Sequence, residues 1–147
     1  MATSFRLEFL LRLYAALERR EELKLGVATR DLVAARQARA AHEAYCRGLR
    51  EEMTAALGPG LKGAEMHFRT MAVAGAESQR AARQLAVEEC QARQAAQREV
   101  LLTARRRRES LELLRRRRME EERLLAGRRE QATLDELFLM RRARRRD

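Results

Sequence analysis

The sequence is interrupted once, and that interruption limits what it can fold into. Gly58-Pro59-Gly60-Leu61-Lys62-Gly63 holds the only proline and three of the seven glycines. Pro59 has no backbone donor to give a helix and biases Gly58 away from helical torsions. Gly60 and Gly63 supply the positive φ that ends one helix and turns the chain toward the next. On both sides run long stretches of Ala, Leu, Arg, Glu and Gln, all strong helix formers. The expected fold is all-α: two long helices in an antiparallel coiled-coil hairpin, treated as a single domain over residues 1–147. Helix one is expected over about 4–57, the turn over 58–63 and helix two over about 64–142.

Composition agrees with a rod rather than a globule. Charged residues make up 37% and aromatic residues 4%, with no Trp, which leaves little to fill a compact core. Thr3 or Ser4 is the expected cap of helix one. The apolar stripe of helix one is read as Leu7, Leu10, Leu11, Tyr14, Leu17 and Leu25, then Ala28, Leu32, Ala35, Tyr45, Cys46, Leu49, Met53 and Leu57. It weakens between Leu17 and Leu25 and again near Arg39, where charged or small residues intervene. The stripe of helix two is read as Ala64, Phe68, Met71, Gly75, Ala82, Leu85, Ala92 and Ala96, then Val100, Ala104, Leu111 and Leu114. A fold centred on the turn pairs residues whose numbers add to about 121, so that Met53 meets Phe68 and Leu7 meets Leu114. The same register places Cys46 and Cys90 about 20 Å apart along the rod, beyond disulfide reach, and predicts two free thiols.

The arms are unequal. Helix one runs out at the level of Leu114, leaving Arg115 to Asp147 without an intrachain partner, about 40 Å of overhang for the helix up to about residue 142. The overhang carries Leu124, Leu125, Leu134, Leu137, Phe138 and Met140. Thr133-Leu134-Asp135-Glu136 has capping-box spacing, but one continuous helix is the preferred reading. Net charge is +10, and 30 of the 32 basic residues are Arg. Residues 1–104 carry 16 basic against 13 acidic residues, and residues 105–147 carry 16 against 9. The positive field is therefore concentrated toward the C-terminus and points to an acidic partner.

Catalytic arrangements are missing. His42 and His67 lie on opposite arms without a Cys/His/acid cluster at metal spacing. The glycines at 58–63 lack the Gly-Lys-Ser/Thr that grips phosphate, and Glu120-Glu121-Glu122 make helix-surface ion pairs rather than an acid–base dyad. No enzyme activity, cofactor, metal or small-molecule substrate is expected. The arginine blocks at 105–108, 115–118 and 141–146 wrap whole helical turns without stacking aromatics, which argues against specific nucleic-acid binding. The basic region lacks the broad apolar face of a membrane-surface helix. No run of ~18 apolar residues spans a membrane, and no export signal appears.

The two ends carry a resemblance. Phe5-Arg6-Leu7-Glu8-Phe9-Leu10-Leu11-Arg12-Leu13 resembles the N-terminal opening of the flagellar export protein FliJ. Leu111-Glu112-Leu113-Leu114-Arg115, Glu130-Gln131 and Leu134-Asp135-Glu136 are similar to that family's C-terminal signature. The resemblance spans the chain; the scarcity of Lys, and Phe138 and Met140 where smaller or polar residues are expected, depart from it. It implies a cytoplasmic, non-enzymatic part of the flagellar type III export apparatus, peripherally associated with the inner membrane and serving motility and chemotaxis. Family members are stalk-like coiled coils that link the hexameric export ATPase to the membrane export gate, and they have been described as escorts of export chaperones. On this reading Phe5, Leu7, Leu10, Leu11, Arg115, Arg118, Leu124, Gln131, Asp135 and Glu136 face the ATPase. Phe68, Met71 and Ala72 face the gate, with seam packing the competing role, above all for Phe68 and Met71. The alternatives are the equivalent stalk of a virulence-type secretion system and a basic coiled coil that binds nucleic acid.

Overall fold

The structure is a computed structural model that describes residues 2–58, 60 and 62–145, and the side chains from residue 7 onward within those ranges. Two helices account for nearly all of it: α1, Ala2–Leu57, and α2, Gly63–Arg144. They pack against each other antiparallel, as the sequence predicts. α1 already includes Ala2, so neither Thr3 nor Ser4 stands outside it as a cap. α2 begins at Gly63 and runs unbroken through 127–133, so Thr133 caps no second helix. Within the turn, Gly60 takes φ +86°, the left-handed torsion expected of it, while Gly63 opens α2 instead. The Met66 amide donates to the Lys62 carbonyl at 3.0 Å, closing the first turn of α2. Pro59 and Leu61 lie outside the described residues.

The chain packs as two units, residues 19–103 and residues 1–18 with 104–147. In the first unit the buried residues are Leu32, His42, Cys46, Ala76, Val87 and Leu101. On α1 buried and half-buried positions recur at 21, 25, 28, 32, 35, 39, 42, 46, 49, 53 and 56, an alternation of fours and threes without a skip, with Glu43 and Gly48 half-buried beside it. On α2 the same rhythm runs 66, 69, 73, 76, then 83, 87, 90, 94, 97 and 101, with exposed Arg80 at the intermediate step. That rhythm is the seam of a coiled coil.

This seam corrects the expected stripes. Phe68 (75% exposed), Met71 (60%) and Leu85 (59%) point away from α1, and Tyr45 and Leu57 of α1 point away from α2. The α2 seam uses Met66, Val73, Ala76 and Val87, about two positions along, which amounts to more than half a turn of rotation about the helix axis. Glu21 and Arg39 sit in the α1 seam where the apolar stripe weakens. Each has a partner across the pair: Gln97 donates to the Glu21 carboxylate at 2.6 Å, and Arg39 Nη1 donates to Gln84 Oε1 at 3.0 Å. His42 Nε2 lies 2.8 Å from the Ala76 carbonyl, which requires the tautomer that donates from Nε2. Both cysteines, Cys46 and Cys90, are free.

The residue numbers of these cross-pairs add to 118 for His42 with Ala76 and for Glu21 with Gln97, and to 123 for Arg39 with Gln84 and Thr29 with Gln94. The expected register of about 121 along the axis therefore holds. What differs is the rotation of α2; the expected α1 positions Leu25, Ala28, Leu32, Ala35, Cys46, Leu49 and Met53 all lie in the seam.

Candidate partner-binding surfaces

In the unit formed by residues 1–18 and 104–147, Leu7 is buried, Leu11, Tyr14, Ala104 and Leu111 are half-buried, and Leu10 and Leu17 are exposed. Glu18 takes the seam position that an apolar residue would fill, and it is 7% exposed. Arg105 Nε donates to Glu18 Oε1 at 3.0 Å, Arg108 Nε donates to Glu18 Oε2, and Arg108 Nη1 donates to Glu112 Oε1 at 2.5 Å. Burial alone pushes the Glu18 carboxyl up. The hydrogen bonds and charge of Arg108 and Arg105 outweigh that, and hold it below the usual carboxylate range. The same contact raises the Arg108 guanidinium. In the other unit Glu21 is lowered in the same sense, by its hydrogen bonds from Lys24 and Gln97.

Past Leu111 and Glu112 the seam stops. Every described residue from Leu113 to Arg145 is exposed, about 50 Å of helix at ~1.5 Å per residue. The reason is the length of α1: at a register of about 121 its first residues lie level with Arg115, as the Arg115–Glu8 contact shows, and the apolar residues that continue the rhythm, Leu125, Ala132 and Leu139, have no helix to pack on. Arg115 makes one contact back to the paired segment, 3.5 Å from Glu8. The extension bares Leu124 (65%), Leu134 (60%), Phe138 (64%) and Met140 (60%).

The residues expected to face the ATPase are thus distributed unevenly. Arg115, Arg118, Leu124, Gln131, Asp135 and Glu136 all lie on the exposed extension, where Gln131 donates to Asp135 at 3.1 Å. Leu10 is exposed beside them in the same unit, Leu11 is half-buried and Leu7 is buried in the seam. The Phe5 side chain lies outside the described residues. Phe9 (62%) and Leu13 (43%) add exposed apolar surface that stripe-reading did not single out.

In the unit of residues 19–103, Phe68 and Met71 are exposed and Ala72 is half-buried, the reverse of the packing expected for them. Phe68 and Ala72 line an open cleft of about 340 Å³ with Leu49, Val73, Glu52 and Glu65. Arg69 crosses it, donating to Glu65 Oε1 at 3.2 Å. The cleft is lined by apolar side chains together with Glu52, Glu65 and Arg69, and it includes two of the three residues expected at the gate.

Among the described residues no three His, Cys, Asp or Glu side chains gather as a metal site, and no helix is long and apolar enough to cross a membrane. Two antiparallel helices with a polar seam and a bare basic extension define a helical interaction protein, whose surface is its working part. The chain belongs to the flagellar FliJ family: the family model described as flagellar FliJ protein matches residues 3–147. No curated protein and no solved structure matches it. Membership makes it a component of the flagellar type III export apparatus, acting in flagellar biogenesis through contacts with other parts of that apparatus.

Proposed function

We propose that this chain is the stalk of the export apparatus, coupling the export ATPase hexamer to the membrane export gate at the cytoplasmic face of the inner membrane. The observation that carries the proposal is the extension: helix from Leu113 to Arg144 that is exposed throughout and touches the paired segment only where Arg115 meets Glu8, basic overall and apolar in patches. A lone helix of that kind is marginal in water and gains most by entering another protein. In this reading Leu10, Leu11, Arg115, Arg118, Leu124, Gln131, Asp135 and Glu136 meet the ATPase ring, with Phe5 and Leu7 shaping that end. Phe68, Met71 and Ala72 meet the gate. The exposure of Phe68 and Met71 supports this, because neither is needed to hold the helices together. Escort of export chaperones is a second duty within the same reading.

ATPase turnover measured with the full chain and with a chain ending at Arg115 tests the proposal. Stimulation is expected to disappear with the shortened chain, and unchanged stimulation refutes the stalk. A nucleic-acid role is separated by salt, since phosphate binding weakens steeply between low and physiological ionic strength.

A further inference from the structure

The extension carries a pattern that the stalk reading does not use. At every seventh residue from 121, on one column of α2, stand Glu121, Arg128, Asp135 and Arg142, alternating in sign. The neighbouring column on one side carries Leu125, Ala132 and Leu139, and the column on the other side carries Leu124, Gln131 and Phe138. All these residues are exposed. No hydrogen bond or ion pair links Glu121, Arg128 or Arg142 to another described side chain, and Asp135 accepts only from Gln131.

We propose that this face pairs with the same face of a second copy, antiparallel, about a two-fold axis between Gln131 and Ala132. Two helices in that arrangement set opposite each other residues whose numbers add to about 263, and columns of the same kind lie on the same side of the pair. Glu121 then meets Arg142 of the second copy, and Arg128 meets Asp135 of the second copy. The flanking columns match as well. Leu124 falls beside Phe138, Leu125 beside Leu139, and Ala132 beside Ala132 of the second copy. Side chains that are 65%, 64%, 50% and 63% exposed in the single chain (Leu124, Phe138, Leu125, Leu139) are thereby covered. At each end Arg117 meets Arg145 of the second copy, which limits the match to the stretch between them.

The charges select this arrangement against its neighbours. Sliding by seven residues opposes Glu121 to Asp135 and Arg128 to Arg128. A parallel pair in register opposes each charge to itself. Both cost free energy through like-charge contacts on a shared face. The dimer would cover Leu124, Gln131 and Asp135, so it is a form held when no other partner occupies the extension. It stands independently of the stalk reading.

The test is the dissociation constant of the full chain by analytical ultracentrifugation over a concentration series, with helicity followed by circular dichroism. The wild type is expected to dimerise reversibly and more weakly in high salt. Arg128→Glu turns two attractive contacts per dimer into repulsive ones, and weakens association on the order of tenfold. Asp135→Arg does the same. The double exchange Arg128→Glu with Asp135→Arg restores opposite signs, and is expected to return the constant to within about threefold of wild type. All of these positions are exposed in the single chain, so the helicity of the dilute monomer stays unchanged. A wild type that remains monomeric throughout, a dimer indifferent to Arg128→Glu, or a double variant no tighter than the singles overturns the proposal. None of these results bears on ATPase stimulation, which the truncation measures separately.

Discussion

Replacing Glu18 with Gln keeps its shape and removes its charge. In the native pair this carboxylate is buried and holds Arg105 at 3.0 Å and Arg108 across the seam. The side chains of Arg105 and Arg108 are 44% and 27% exposed, so solvent screens part of the attraction. A fully buried pair broken on one side costs about 3–5 kcal/mol, and an exposed pair at most ~1 kcal/mol. Glu18→Gln falls between them, at about 2 kcal/mol, which lowers Tm by about 4–8 °C in a chain of this length.

The effect carries a pH signature. The folded carboxyl titrates below its unfolded value, so its contribution is present in full above the unfolded pKa and is lost as pH falls through the folded one. Thermal melts followed by circular dichroism between pH 7 and pH 3 should show the wild type losing Tm on the acid side of ~4.5. The variant starts lower and falls less steeply, with Glu21 supplying the slope that remains. Equal Tm values at pH 7, or parallel acid limbs, would show that Glu18 contributes nothing as a charge and refute the reasoning.

Three further outcomes follow from the same packing. Val87 is the most deeply buried side chain described, at 2% exposure, and Val87→Ala should destabilise by about 2 kcal/mol in chemical denaturation. Phe68→Ala, at a residue 75% exposed, should leave Tm within about 1 °C while weakening capture of the export gate. A chain ending at Glu112 should keep the melting midpoint of dilute full-length protein and lose only the helical signal of the removed residues, because nothing past Glu112 is buried. A midpoint that falls with the truncation would mean that the extension supports the pair.

The hairpin was legible from the sequence because a single feature, the glycine and proline cluster at 58–63, fixes both the break and the axial register. The rotation of α2 was not. Phe68, Met71 and Leu85 repeat at helical spacing, but so do Met66, Val73, Ala76 and Val87 close by, and the larger side chains lie on the outer column. Side-chain size marks burial where apolar residues are scarce off the seam, and here alanine populates every face. On α1, Glu18, Glu21, Arg39 and His42 looked like gaps in an apolar stripe; each is a seam layer completed by a partner on α2. Such partners lie 34 to 90 residues away in sequence, so local pattern alone does not reveal them. The extension could be read from arm length alone: in a register of about 121 helix one runs out near Leu114, so the residues beyond have no helix to pack on.

The polar seam also fixes how this chain responds to temperature. Among the described residues only Leu7, Leu32, Cys46, Ala76, Val87 and Leu101 form a buried apolar set, and the heat capacity of unfolding grows with apolar area newly hydrated. Its stability curve should therefore be shallow, with a broad melting transition and little curvature toward the cold. A chain built this way loosens gradually over many degrees, and contacts with other parts of the export apparatus, more than its own interior, would set the temperature at which it stops working.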